Sequence, residues 1–329
     1  MLHTPHAIGL ISNPLSQRNK ALPGKLRDAA ESAGSVAFAS LDRMDALDGI
    51  IDGFGQKGVE VLAIDGGDGT VQAALTALFS RRAAGRDGGR PLPHLCILPG
   101  GMTNLIAGDV GAPGRRADAL RRLTRIVGNG RIARHTVTRH VIRVRYGDGA
   151  SCRYGMFFGA GAVPPAIMMC RRVVHPMNVK GSGAVALTVM GLLLRHGLFD
   201  RSEGNVFRGR NMRLAWDGGQ ARNGQQLLLL ASTLDRLALG TRPFWGAGSD
   251  GVKITAIAWP ARRLIRSLPA LLFGGSTRRL DPGTFTSITT SRAELHLDEP
   301  FTLDGEMYTP QPGTPVVLED AGTVSFVTW

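Results

Sequence analysis

Along roughly the first 130 residues, short and nearly continuous apolar runs alternate with stretches of helical period. The runs HAIGLISNP (6–14), SVAFAS (35–40), VEVLAID (59–65) and HLCILPG (94–100) each end in turn residues. Runs of this length, apolar at successive positions, are strands of a parallel sheet covered on both faces. Three amphipathic stretches supply crossover helices: 20–34, 70–82 and 115–130. Gly and Pro mark 83–93 as a loop.

The pattern changes near residue 131. HVIRVRYGDGASCRYGMFF (140–158) alternates with period two around a Gly-Asp-Gly turn, which predicts a hairpin. Strand-like runs follow at 205–216, 225–233, 251–259 and 284–298, with helices near 177–196 and 260–273. The pattern therefore predicts a doubly wound, mostly parallel α/β domain over 1–132 and a mainly antiparallel β-sandwich domain over 133–308. The last segment, 309–329, is expected to add strands that pack back on the first domain.

Charge narrows the partners. Among 329 residues, 39 Lys and Arg against 26 Asp and Glu leave a net charge of +13 and a pI near 10.8. Such a field favours phosphorylated ligands, an anionic bilayer or nucleic acid. No helix-turn-helix, RNA-recognition or zinc pattern accompanies the charge, so nucleic acid is not an expected partner. Cys96, Cys152 and Cys170 are too few and too widely spaced for a disulfide framework or a CxxC pair, which fits a reducing cytosol. The opening residues are expected to be a first strand, not a signal peptide, and no window is apolar enough to span a bilayer. Hence the expectation of a cytoplasmic protein, peripheral at the inner face of the membrane.

Candidate chemistry sits at the strand ends. In a doubly wound sheet, ligands bind at the carboxyl ends of strands, and glycines there let a backbone approach phosphate at a helix N-terminus. DGGDGT (65–70), LPGGMTN (98–104) and SNPLSQRNK (12–20) are three such tips, the last bringing Ser16, Arg18 and Lys20. A tight structural βα turn would also explain the glycines. Asp68 argues for more, since a carboxylate facing phosphate is repelled unless a divalent cation intervenes. There is no GxxxxGK[ST], and GAGAVP (159–164) lacks the third glycine of a dinucleotide fingerprint.

At this point the chain resembles a known family. IDGGDGTVQAALTAL followed by ILPGGMTNLIAGDVG is similar to the catalytic domain of the diacylglycerol kinase and sphingosine kinase superfamily, its soluble bacterial lipid kinases above all. SNPLS, GAGSDGVKITAIAW (246–259) and FTLDGEMY (301–308) continue the likeness in the family's order. The resemblance implies an NAD kinase-like first domain and an ATP- and Mg²⁺-dependent lipid kinase, with diacylglycerol the expected acceptor. Gly66, Gly67, Asp68, Gly69 and Thr70 would cradle phosphates. Asn13, Ser16, Ser40, Gln72, Gly101, Met102 and Asn104 would complete the nucleotide site. Asp68 would also manage the nucleotide's Mg²⁺. Asp304 or Glu306 would be the general base, left open between the two. A structural Mg²⁺ would take the Asp250 carboxylate and the carbonyls of Ala247 and Val252. Asp304 lies 236 residues beyond Asp68, so the two would meet only across a cleft between domains.

Departures from the family pattern are Gln72 and Ala73 in place of Asn and Glu, Met102 with Thr103 displaced by one, Gln17 for glycine, and Val163 and Pro164 where an aspartate is usual. They keep open a silent relative that binds nucleotide or lipid; an NAD kinase-like enzyme is the other alternative, because that family shares the GGDGT turn, although its Asn-Glu pair has no good match here. A membrane lipid at an anionic surface is the expected partner; homodimer formation is left open. For bilayer contact, 259–275 offers Arg262, Arg263 and Arg266 beside Leu264, Ile265, Leu268 and Phe273, and 184–199 is a second apolar stretch. Packing on the β core explains the first at least as well and the second better, and Pro269 argues against a long helix in the first.

Overall fold

The structure is a computed structural model that describes residues 7–16, 19, 25–101, 103–148, 151–174, 208–217, 219, 221–248, 251–261, 263–274 and 280–329. It divides into two units, residues 1–139 with 322–329 and residues 140–321.

In the first unit, β1 (Ile8–Ser12), β2 (Val36–Ser40), β3 (Val61–Gly66) and β4 (His94–Pro99) form a parallel sheet in the order β2-β1-β3-β4. Every residue of β3 is buried, as the unbroken apolar run requires of a strand covered on both faces. One face is covered by α1 (Lys25–Ala33) and α5 (Arg116–Gly128), whose Leu26, Ala30, Leu120 and Leu123 cluster with Ile8, Leu10, Ala63 and Leu98. On the other face Phe54 of α2 (Leu47–Gln56) lies over Gly9, which alternates with Ile8 and Leu10. α3 (Asp68–Ala83) follows β3, and the short α4 (Leu105–Val110) follows β4. The chain's end belongs to this unit: Phe326 pairs in parallel with Leu95, and the Thr328 hydroxyl donates to the Gly111 carbonyl at 2.8 Å. The doubly wound, parallel reading therefore holds. α2 was absent from the sequence reading, and helix 20–34 is described only from Lys25.

The second unit is mainly antiparallel. β5 (Thr136–Tyr146), which begins in the first unit, pairs with β6 (Ser151–Gly155) in the hairpin that the period-two alternation predicts. β9 (Arg222–Ser232) carries antiparallel ladders to β7 (Phe157–Gly161), β8 (Arg210–Trp216) and β10 (Val252–Ala258). β11 (Phe285–Thr290) extends β10, and β12 (Arg292–His296) joins β8 to β15 (Val316–Val327), whose last residues lie in the first unit. β13 (Phe301–Leu303) pairs with β7 and with β14 (Glu306–Tyr308). Alternate residues of these strands, among them Ile142, Phe158, Leu229, Ile254, Leu295, Phe301 and Leu318, share one core. The run read as a single strand at 284–298 is two, broken at Ser291.

α6 (Val163–Val174) follows β7, a helix that the sequence reading did not anticipate. α7 (Leu264–Phe273), the helix expected near 260–273, is short and contains Pro269, and it packs Leu264, Leu268 and Leu271 against Leu227, Ile257 and Phe285. Its apolar face is therefore largely spent on the core, while Ile265 and Phe273 stay exposed. The helix expected near 177–196 and the stretch 184–199 lie outside the described residues. Among those described, no helix is long and apolar enough to cross a membrane.

Candidate functional site

Two turns meet in the first unit, one at the end of β3 and one at the end of β4. Gly100 N–H donates to the Gly66 carbonyl at 2.8 Å, extending the strand pairing into the turns. Beyond it the backbones press together. A Cβ on Gly101 would lie 2.7 Å from the Gly67 Cα, so no larger residue fits there without separating the turns. The sequence alone credited these glycines to ligand approach; turn-on-turn packing is an equal requirement.

Asp68 joins the same two turns. Its carboxylate accepts the N–H of Leu105 at 2.9 Å, the N–H of Ile106 at 3.0 Å and the Thr103 hydroxyl at 3.1 Å. It thus caps the free N–H groups of α4 from a neighbouring element. Burial pushes the carboxyl above the usual carboxylate range, and the three hydrogen bonds pull it back. Thr103, displaced in sequence, still supplies a hydroxyl to this turn. Asn104 is a second staple: at φ 47° its Oδ1 accepts Gly101 N–H at 2.8 Å and its Nδ2 donates to the Gly101 carbonyl at 2.7 Å.

The turn after β1 completes the group. Asn13, buried, donates from Nδ2 to the Thr70 hydroxyl at 2.9 Å and accepts Leu15 N–H at Oδ1 at 2.9 Å. Ser16 differs from all of these, because its Oγ is buried and has no hydrogen-bond partner among the described residues. A Cβ built on Gly100 would lie 3.1 Å from that oxygen, which places it against the glycine turns. Buried hydroxyls are rarely left so. The first-turn N–H groups of Asp68 and Gly69 have no acceptor within α3, as at any helix start. An anion seated here would meet amides, a helix dipole and a hydroxyl.

The remaining residues divide. Gln72 is buried on α3 behind the turn. Ser40 ends β2 and donates to Asp42 at 2.8 Å, exposed. Met102 and Asp250 lie outside the described residues. Ala247 is exposed, and Val252, fully buried, begins β10. Among the described residues, no group of three His, Cys, Asp or Glu side chains is placed to hold a metal ion.

Asp304 and Glu306 lie in the second unit and have different surroundings. Leu303 pairs with Glu306, so Asp304 and Gly305 are the two central residues of the hairpin turn. Both have positive φ, 48° and 89°, as a type I′ turn demands, and Asp-Gly suits it. The hairpin is fixed by Phe301, whose ring lies 5.1 Å from Phe158 and 5.4 Å from Tyr146. Asp304 is 4% exposed; its Oδ1 accepts Phe157 N–H at 2.8 Å, and Met156 N–H reaches its Oδ2 at 3.1 Å. Asp304 is thus bound into the turn, whereas the Glu306 side chain is exposed.

Sequence reasoning missed a polar group behind the turns. Asp65, 1% exposed at the end of β3, accepts Arg116 Nη1 at 2.7 Å, Ser12 Oγ at 2.7 Å and Asn19 Nδ2 at 2.8 Å. The signal was available: a carboxylate near the end of an otherwise apolar strand requires a buried cation.

The fold thus joins an α/β unit, with paired glycine turns at its strand ends, to a mainly antiparallel unit. Residues 7–134 match the family model of the diacylglycerol kinase catalytic domain, which bears out the resemblance over that stretch and supports a lipid kinase family. Three solved structures from Bacillus anthracis str. Sterne share the fold; they are described as diacylglycerol kinases, two of them only provisionally. The first is 15% identical with a TM-score of 0.65, covering 98% of this chain and 96% of its own. The second is 15% identical with a TM-score of 0.60 over the same shares. A third, 16% identical with a TM-score of 0.64, covers 98% of this chain and 97% of its own. Among curated proteins none matches the chain.

Proposed function

We propose that the protein transfers the γ-phosphate of ATP to the hydroxyl of a membrane lipid, with diacylglycerol as the acceptor. The observation that carries this reading is Ser16 Oγ, buried without a partner among the described residues against the glycine turns of a diacylglycerol kinase-type domain. A nucleotide phosphate supplies the missing partner, while the first-turn amides of α3 take its charge.

The donor set was tested against the two groups that the family implies. ATP fits it. Asp68 Oδ1 accepts a single hydrogen bond, from Ile106 N–H, so Asp68 could lend that oxygen to a divalent cation while it caps α4. A divalent cation fits when held chiefly by the nucleotide's own phosphates and water, where it would neutralise phosphate charge. On the acceptor side, Glu306 takes the proton from the lipid hydroxyl, and Asp304 holds the turn that presents it.

Lipid acceptors also require a bilayer surface. Exposed Arg115 precedes α5, Arg121, Arg122 and Arg125 lie on it, and Arg131 and Arg134 follow it, with Asp118 the one acidic side chain between 115 and 134. Each cation near an anionic leaflet contributes about 1 kcal/mol, falling with salt. This face replaces α7 as the docking surface, and it supports a peripheral position at the inner face of the membrane.

The test is transfer of labelled γ-phosphate from ATP to a panel in mixed micelles: diacylglycerol, monoacylglycerol, phosphatidylglycerol, ceramide, sphingosine, and free NAD. Labelled diacylglycerol that disappears with Asp68→Ala supports the reading. Label on NAD alone gives an NAD kinase-like enzyme, and ATP binding without any labelled product gives a silent relative; either overturns it.

A further inference from the structure

We infer that Arg116 is a positioning residue for the phosphate turns, setting nucleotide affinity from behind the site without touching the nucleotide. The inference rests on the phosphate-binding reading above and adds to it the part that holds the turns in register.

Four residues connect α5 to the tip of α3. Arg116 Nη1 donates to Asp65 Oδ1 at 2.7 Å and also to Asn19 Oδ1. Asn19 Nδ2 donates to Asp65 Oδ2 at 2.8 Å and to the Asn13 carbonyl at 2.7 Å. Asn13 Nδ2 then donates to the Thr70 hydroxyl at 2.9 Å. Main-chain bonds run alongside: Asn13 N–H to the Asp65 carbonyl at 3.0 Å, Ser16 N–H to the Asn13 carbonyl at 3.1 Å and Asn19 N–H to the Ser16 carbonyl at 3.0 Å. Ser16, the hydroxyl that awaits a partner, is therefore held at both its N–H and its carbonyl by residues that Arg116 organises.

Charge explains why an arginine is required. A carboxylate as buried as Asp65 is costly unless paired. The Arg116 side chain is 17% exposed, so the pair is poorly screened. One guanidinium nitrogen reaches both a carboxylate and an amide oxygen, closing the network on two sides at once. Without it Asp65 would seek water or a proton, and Asn19 would lose the bond that fixes its amide orientation. The Asn13–Ser16 turn would then be free to leave Thr70. None of these four side chains is positioned to do chemistry, so a defect belongs in binding and not in turnover.

The experiment compares wild type, Arg116→Gln and the double variant Asp65→Asn/Arg116→Gln, which removes both buried charges and guards against simple misfolding. Mg-ATP binding is measured by calorimetry and amide hydrogen exchange by mass spectrometry. In Arg116→Gln, affinity falls about tenfold, and exchange rises at residues 13–16 while β3 and β4 stay protected. The double variant regains thermal stability but not affinity, because Asn19 remains unheld. Stability lost with affinity unchanged in the folded protein overturns the inference, as does unchanged exchange at residues 13–16. A wild type that binds no Mg-ATP instead removes the proposed function. It removes the claim on affinity with it, and the exchange pattern then decides only whether Arg116 holds the 13–16 turn: a rise confined to the turn upholds that part, and no rise ends it.

Discussion

The Asp68 carboxylate accepts the Leu105 N–H at 2.9 Å, so a residue that opens α3 caps the helix following the next strand. The aspartate of the glycine-rich motif is thus structural as well as electrostatic. Asp68→Ala should cost about 1–2 kcal/mol of stability, the usual loss for a helix cap. It should also abolish detectable nucleotide binding. Denaturant unfolding and ATP titration of the same variant check both. Unchanged stability would mean that the cap does not matter in solution.

Asp304 and Glu306 should separate by experiment. Glu306→Gln is expected to keep the fold and ATP affinity while lowering kcat at least about a hundredfold, the contribution of a general base. Asp304→Asn should lower the melting temperature, because an amide cannot accept all the N–H groups that the carboxylate holds. Gly155 gives an independent check. A Cβ there would lie 2.3 Å from Asp304 Oδ2, so Gly155→Ala should destabilise by about 3 kcal/mol.

Glu319 of β15, largely buried, gathers Arg143, Arg145 and Arg292. Burial raises its carboxyl, but hydrogen bonds from Arg145 and Arg143 outweigh this and hold it below the ordinary glutamate range. A depressed carboxyl contributes stability above its unfolded value, near 4.3, and loses it as pH falls through the folded one. Glu319→Gln should therefore cost about 2 kcal/mol at neutral pH, discounted for partial exposure. The difference from wild type should close below about pH 4. Melting curves between pH 7 and pH 3 measure it.

Binding to vesicles containing phosphatidylglycerol should weaken steeply with salt. It should fall about 100-fold for Arg121→Gln/Arg125→Gln/Arg131→Gln, three charges at about 1 kcal/mol each. Ile265→Ser on α7 should change it little. The reverse order would return docking to α7, and equal affinity for DNA would make the charge unspecific.

Much of the first unit was legible because its strands are buried on both faces and therefore apolar at every position. α2 was not, since Asp48, Gly49, Asp52, Gly53 and Gly55 dilute its period; its signal was Leu47, Ile51 and Phe54 at helical spacing. Ser16 was legible as a site candidate from its motif, but its unpartnered hydroxyl belongs to three-dimensional packing. The Asp-Gly of the late element was legible as a turn. That the turn buries its aspartate depends on Gly155, far away in sequence. The pairing of Asp65 with Arg116 escaped notice because 51 residues separate them: Asp65 stands at the head of the glycine motif, but Arg116 belongs to no motif and reads only as one more arginine of a basic helix.

The most direct measurement is single-turnover transfer of labelled γ-phosphate to diacylglycerol in mixed micelles, by wild type and by Glu306→Gln, with ATP affinity determined for both. Rapid labelling by wild type and a loss of about a hundredfold or more in the variant at unchanged ATP affinity is the predicted result. Equal transfer by the two proteins, or no labelled lipid from a wild type saturated with ATP, would contradict it.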